Sequence, residues 1–164
     1  MAAHSREELI QRLEQARSHL EKCLPKVDPT REIYPGWTFL QLLVHISGWD
    51  EDTLASLVAH QHGTTLNGSA MDGFDAFNQR AISSRKDLNL EQVIEEWQAV
   101  REKLVTLIAA LPEEKFTETL VASWGERIGV TELVEVFIGH EESHTRDLQE
   151  WLKNPNHPLG KKGT

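Results

Sequence analysis

Apolar positions along this chain recur at helical spacing. From Leu9 through Leu13, Ala16 and Leu20 to Cys23 the steps alternate between four and three residues, which puts all five on one helix face. Ser5 precedes that run and Glu8 follows Ser5 by three, the capping-box pattern in which each side chain satisfies the other's backbone N–H. Pro25 marks the end of this helix. A second helix is predicted to open at Thr38, with Gln41 in the box position and Trp37 as a staple residue, and to run to about Gln61. Residues 63–73, rich in Gly, Thr, Ser and Asn, read as a loop, and 74–86 as a shorter helical piece. A third long helix starts near Asn89, again with Gln92 three residues on. Its stripe is Val93, Trp97, Val100, Leu104, Leu107 and Leu111, closed by Pro112. The fourth starts near Thr131 and carries Leu133, Val136, Phe137, His140, His144, Leu148 and Trp151 before Asn154 and Pro155 end it. Between the last two helices, residues 116–130 place Thr119, Val121 and Ile128 around a Trp124-Gly125 turn signal, predicting a structured loop with a short hairpin.

Four amphipathic helices of roughly 20 residues make an all-α four-helix bundle the natural way to bury their stripes. The connection between the second and third long helices is a long crossover, so a simple up-down-up-down order is not required. Residues 1–154 form one bundle domain on this reading, and 155–164 a flexible tail.

Charge narrows the classes of function. The chain has 26 acidic against 17 basic residues, a net charge of −9, and no long Lys/Arg cluster offsets it. Such a surface repels phosphate backbones and anionic headgroups, so neither nucleic acid nor a membrane is an expected partner. No apolar run approaches the ~18 residues of a membrane span. The first eleven residues carry acidic side chains where a signal peptide needs an apolar core. With a lone Cys23 no internal disulfide can form, and the expected location is cytoplasmic. Cys23 itself reads as a small core residue.

Three histidines fall on apolar stripes. His140 and His144 are four apart and share the face that carries Phe137 and Leu148, a spacing by which one helix can offer a metal two imidazoles. His45 lies in Leu42-Leu43-Val44-His45-Ile46, where an imidazole without polar contacts is costly. Three interior imidazoles could share a divalent ion and leave an open position for solvent or substrate. Equally, His45 could donate to a backbone carbonyl while the other two face water, and spacing alone does not separate the two readings. His60 lies about 22 Å along its helix from His45 and cannot join it.

The chain also resembles a family. Pro35-Gly36-Trp37-Thr38 runs into Leu42-Leu43-Val44-His45-Ile46-Ser47-Gly48-Trp49-Asp50. Then come Phe74-Asp75-Ala76-Phe77-Asn78, Arg85-Lys86-Asp87-Leu88, Trp124-Gly125 and His140-Glu141-Glu142-Ser143-His144. In order and spacing these are similar to the DinB-like superfamily of metal-binding four-helix bundles, and within it to the ClbS/DfsB-type branch. The resemblance implies an up-down-down-up bundle, a divalent metal (zinc or nickel) on His45, His140 and His144, and a homodimer. Members include thiol-dependent transferases and isomerases and proteins that protect against reactive metabolites. Many members of the branch have a Tyr between the paired histidines, where this chain has Glu141, Glu142 and Ser143.

Around such a centre, Asp52 lies one heptad along the His45 face and Glu141 beside His140, so both are candidates to orient a ligand, with Asp50 less well aimed. The alternative for all three is a solvated carboxylate on a helix surface. Trp49 follows His45 by four and Asn78 lies in the crossover segment; both are candidates to wall a pocket. The function these readings favour is a metal-dependent enzyme of thiol transfer or hydrolysis. Its substrate would be a small electrophilic molecule, with a low-molecular-weight thiol as co-substrate and a role in detoxification or stress protection. The alternatives are a non-catalytic small-molecule binding bundle and a helical interaction domain.

Overall fold

The computed structural model describes residues 4–160. Six α-helices occur among them: α1 (Arg6–Glu21), α2 (Phe39–Gln61), α3 (Phe74–Ser84), α4 (Leu90–Ala110), α5 (Glu113–Thr117) and α6 (Val130–Lys153). Two hairpins accompany the helices, β1 (Glu32–Tyr34) with β2 (Trp37–Thr38) and β3 (Thr119–Val121) with β4 (Arg127–Gly129). The fold is thus mostly helical, and no described helix is long and apolar enough to cross a membrane.

Three of the four long helices start where their capping boxes place them. Ser5 with Glu8, Thr38 with Gln41 and Asn89 with Gln92 each exchange both reciprocal bonds. The fourth, α6, starts one residue before the expected position and has no side-chain cap, because it continues directly from β4 through Gly129. The hairpin expected around Trp124-Gly125 is β3–β4. Several features depart from the sequence reading: α1 ends at Glu21, before Cys23; in α4 Ile108 rather than Leu107 is buried; α3 ends at Ser84, two residues early; and the β1–β2 hairpin and α5 carried no periodic signal. Strands of three and two residues and a five-residue helix are too short to show a period. The β1–β2 turn depends on Gly36, whose φ of +74° lies in the left-handed region.

The long helices close a ring, with α2 lying against α4 and α6, and α1 against the same two. Their stripes bury two apolar clusters. One gathers Leu9, Leu13, Leu57, Leu104, Ile108 and Phe137; the other gathers Leu20, Leu43, Ile46, Trp97, Leu148 and Trp151. Between them, on four different helices, sit Arg17, Asp50, Arg101 and Glu141, all at most 5% exposed. Arg101 donates to both Asp50 oxygens (2.9 and 2.9 Å) and to Glu141 (2.5 Å), while Arg17 donates to Glu141 (2.8 Å) and Asp50 (2.6 Å). Burial opposes the Arg101 charge, but Asp50 and Glu141 outweigh it and hold its pKa above the usual range. Arg17 also donates to the Trp97 carbonyl and lies 3.8 Å over the Trp97 ring. A two-plus, two-minus layer therefore divides the core, and each side chain in it fixes the level of its helix.

Beyond α6, the Arg31 guanidinium donates to the Pro155 carbonyl at 2.7 Å and the Leu159 N–H to the Ile33 carbonyl at 2.9 Å. Residues 161–164 of the expected tail lie outside the described part, as do 1–3 of the expected domain.

Candidate metal centre

α2 and α6 bring His45, His140 and His144 together. Their Nε2 atoms are 2.8 Å (His45–His140), 3.2 Å (His45–His144) and 3.0 Å (His140–His144) apart. His45 and His144 are buried, and His140 is half-buried at the edge of a cleft. Burial pushes the His140 pKa down to about 4, despite the nearby Asp50 charge, and pushes His144 well below the ordinary value. Both imidazoles are therefore neutral at pH 7.

Two hydrogen-bond chains fix a proton on one nitrogen of His45 and of His144. The Trp49 indole N–H donates to Asn78 Oδ1 at 2.9 Å; an indole can only donate, so the atom it meets must be the amide oxygen. The same oxygen lies 2.9 Å from His45 Nδ1, which must then be the protonated nitrogen. On the other side, the Tyr34 hydroxyl donates to Asp147 Oδ2 at 2.7 Å and accepts from His144 Nδ1 at 2.9 Å. Burial, followed by the hydrogen bond to Asp147, raises the Tyr34 pKa, so the phenol keeps its proton. In His144, and in a neutral His45 ring, the Nε2 lone pair consequently points inward.

At 3.2 Å the His45–His144 contact thus sets lone pair against lone pair, with no proton to bridge it. A cation removes that repulsion. Four donors tetrahedrally disposed about zinc at ~2.0–2.1 Å are separated by about 3.3 Å, close to the spacings found here. The donor set fits a divalent ion, with three neutral nitrogens and no compensating carboxylate. Among the described residues it is the one group of three or more His, Cys, Asp or Glu side chains gathered tightly enough to hold a metal.

The rest of the setting follows from local sequence. Trp37, on β2, packs edge-on against His45 at 4.9 Å between ring centroids. Gly48 brings α3 close, since a Cβ at that position would lie 3.0 Å from the Ala81 Cβ, and this approach lets Asn78 reach His45. The cleft beside His140 encloses about 460 Å³ and is walled by Trp49, Phe74, Trp124 and Phe137, with Ser143, Asp75 and Arg146 joining His45 and Asn78 among its polar groups.

Of the residues singled out from sequence, His45, His140, His144, Trp49 and Asn78 meet at this site. Asp52 and Glu141 bond to none of the imidazoles. Glu141, fully buried, faces away into the charged layer with Arg17 and Arg101. Asp52 accepts from the Ser69 hydroxyl and pins the 63–73 loop, and its pKa is raised by burial. The solvated alternative fails for them and for Asp50, since all three are buried. Val136, read as part of the buried stripe, is 45% exposed at the cleft mouth. Tyr34 and Asp147 were not foreseen. Asp147 follows His144 by three on the same helix, a readable signal, whereas Tyr34 reaches the site only through the β1–β2 hairpin.

Residues 30–148, most of the chain, match the DinB superfamily. The chain belongs to that superfamily. Solved structures agree at the level of fold. An uncharacterised protein from Escherichia coli UTI89 superposes with a TM-score of 0.76 at 17% identity, over 94% of this chain and 96% of that one. A mycothiol-dependent maleylpyruvate isomerase superposes with a TM-score of 0.73 at 16% identity over 90% of this chain, and a histidine-to-alanine variant of it with 0.71. The DinB-like chain described here spans 63% of the length of that isomerase. No curated protein matches its sequence.

Proposed function

We propose that this DinB-like protein is a divalent-metal-dependent enzyme that adds a low-molecular-weight thiol, or water, to a small electrophilic molecule, in the manner of a detoxifying transferase or hydrolase. The observation that carries the reading is the inward-facing Nε2 pair of His45 and His144, 3.2 Å apart without a proton between them. His45, His140 and His144 would hold the ion, zinc or nickel, which supplies Lewis acidity and lowers the pKa of a thiol or water at its open position.

The chain's own residues do the rest. Asn78 and Tyr34 keep protons on Nδ1 of His45 and His144, so both rings present the coordinating nitrogen. Trp49 and Phe137, stacked 5.7 Å apart at 29°, offer an apolar wall against which a small substrate lies shielded from water. Half-buried His140 lines the cleft that would take the substrate. Fold-level likeness to a mycothiol-dependent isomerase supports a thiol over water as nucleophile. The up-down-down-up order of the long helices, the ClbS/DfsB branch, a homodimer and a cytoplasmic setting belong to the same proposal.

Elemental analysis of tag-free protein tests it. About one zinc or nickel per chain in the wild type, lost in both His45→Ala and His144→Ala, is expected; a wild type that stays empty after metal addition overturns the reading. One observation favours a second reading, sequestration without turnover: no described carboxylate bonds to the imidazoles, and the one lining the cleft, Asp75, is exposed. That reading expects ligand-induced stabilisation that survives His45→Ala.

A further inference from the structure

The cleft carries one cationic side chain that the metal reading leaves unused. Arg146 lines it from α6, is exposed, and has no carboxylate or carbonyl contact among the described residues. The guanidiniums on α3 and at its end are engaged, Arg80 with Asp72 and Arg85 with Glu51 and Glu96. Arg146 follows His140 by six residues, ~9 Å along the helix axis, with Ser143 midway. A molecule the length of one ring and a short side arm spans that interval. Between the two ends, Trp49, Phe74, Trp124 and Phe137 meet at ring-centroid separations of 5.6 to 6.3 Å and form a nearly all-aromatic wall. Phe74 is 51% exposed and Val136 45%, so the wall continues to the mouth.

Charge selects the sign of the ligand. Imidazoles ligate a metal as neutral donors, so an ion held by the three would keep its full double charge, and Arg146 adds another. Asp75 subtracts one and leaves the cleft positive in a protein whose net charge is −9. A single guanidinium opposed by one rim carboxylate suits a monoanion better than a phosphate ester of nearly two charges.

We propose that the cleft takes a small monocarboxylate with a flat apolar body, its carboxylate held by Arg146, its body on the aromatic wall and its far end toward His140. This names the substrate class of the proposed enzyme and rests on that reading for the reacting end alone. Arg146 is then a specificity-determining residue, and the remaining polar groups of the rim serve it: Ser143 offers the carboxylate a hydroxyl, and Asp75 disfavours dianions.

The test uses cinnamate and its neutral counterpart cinnamamide as probes, with affinities taken from chemical-shift titrations of the full chain. Zinc-loaded and chelator-treated protein are compared, with zinc content measured in each. Cinnamate is expected to bind at least tenfold more tightly than cinnamamide in both forms. Arg146→Gln should erase that preference without weakening cinnamamide, Arg146→Lys should keep part of it, and Asp75→Asn should strengthen cinnamate binding. A preference that persists in Arg146→Gln overturns the proposal. If it then vanishes on chelation, the carboxylate goes to the metal and the metal reading stands alone. If the wild type takes up no zinc yet Arg146 still discriminates, the metal reading falls and the carboxylate site stands. Tighter binding of phenyl phosphate than of cinnamate also overturns it.

Discussion

The Trp49 indole N–H donates to Asn78 Oδ1, the same oxygen that receives the His45 Nδ1 proton. A pocket wall and a candidate metal ligand are thereby wired through one amide, since the indole forces the amide orientation and the amide forces the imidazole tautomer.

Breaking that relay should weaken metal binding without unfolding the protein. Asn78→Ala is expected to lower zinc affinity about 10–100-fold, the usual effect of losing a group that orients a ligand. Trp49→Phe keeps the ring but lets the amide rotate, and should give a smaller loss. Competition with a chromophoric chelator reads both; an Asn78→Ala affinity equal to wild type removes the relay from the account.

Tyr34→Phe makes the matching case at His144. The phenyl keeps the packing, but Asp147 loses its donor and the Nδ1 proton of His144 its acceptor. Zinc affinity should again fall about 10–100-fold. An effect on folding stability with unchanged metal affinity would assign the Tyr34 hydroxyl to structure alone.

Removal of metal should cost stability by mass action. At a free zinc concentration of 100 times Kd the bound form gains about 2.7 kcal/mol, or roughly 5–10 °C in Tm for a domain of this size. The shift should be absent from His144→Ala.

The metal-free protein should lose stability in mild acid. In the unfolded chain an imidazole titrates near 6.5, whereas burial holds folded His140 to about 4. Between those values the unfolded state binds a proton that the folded state refuses, so stability rises with pH across the window and is lost as pH falls through it. His144, also pushed down, acts in the same direction. For His140 the loss from pH 7 to pH 5 is about 2 kcal/mol. Urea midpoints at the two pH values, wild type against His140→Asn, check it; equal slopes in the two proteins would refute it.

Glu141→Gln should be among the most damaging substitutions outside the site. It leaves Arg17 and Arg101 sharing only Asp50, and breaking a buried pair from one side costs about 3–5 kcal/mol. Denaturant unfolding reads this directly. A loss below 1 kcal/mol would mean that the charged layer contributes little to stability.

The helical stripes, three reciprocal capping boxes, the loop over residues 63–73 and the hairpin at Trp124-Gly125 were all legible from sequence, because each depends on neighbours within a turn or two. So was the pairing of His140 with His144, which a helix guarantees. The fates of the carboxylates were not legible. Asp50 and Glu141 look like surface charges until α1 and α4 deliver Arg17 and Arg101 to the same level of the core, some 33 to 124 residues away along the chain. Tyr34 escaped notice because a three-residue strand has no period, and its role exists only once the hairpin folds back over α6. The local pattern of polar and apolar residues determined the helices and the face on which each histidine lies. Which nitrogen each imidazole turns inward was decided by tertiary structure alone, because the groups that hold the opposite protons, Asn78 and Tyr34, reach the site from elements distant in the chain.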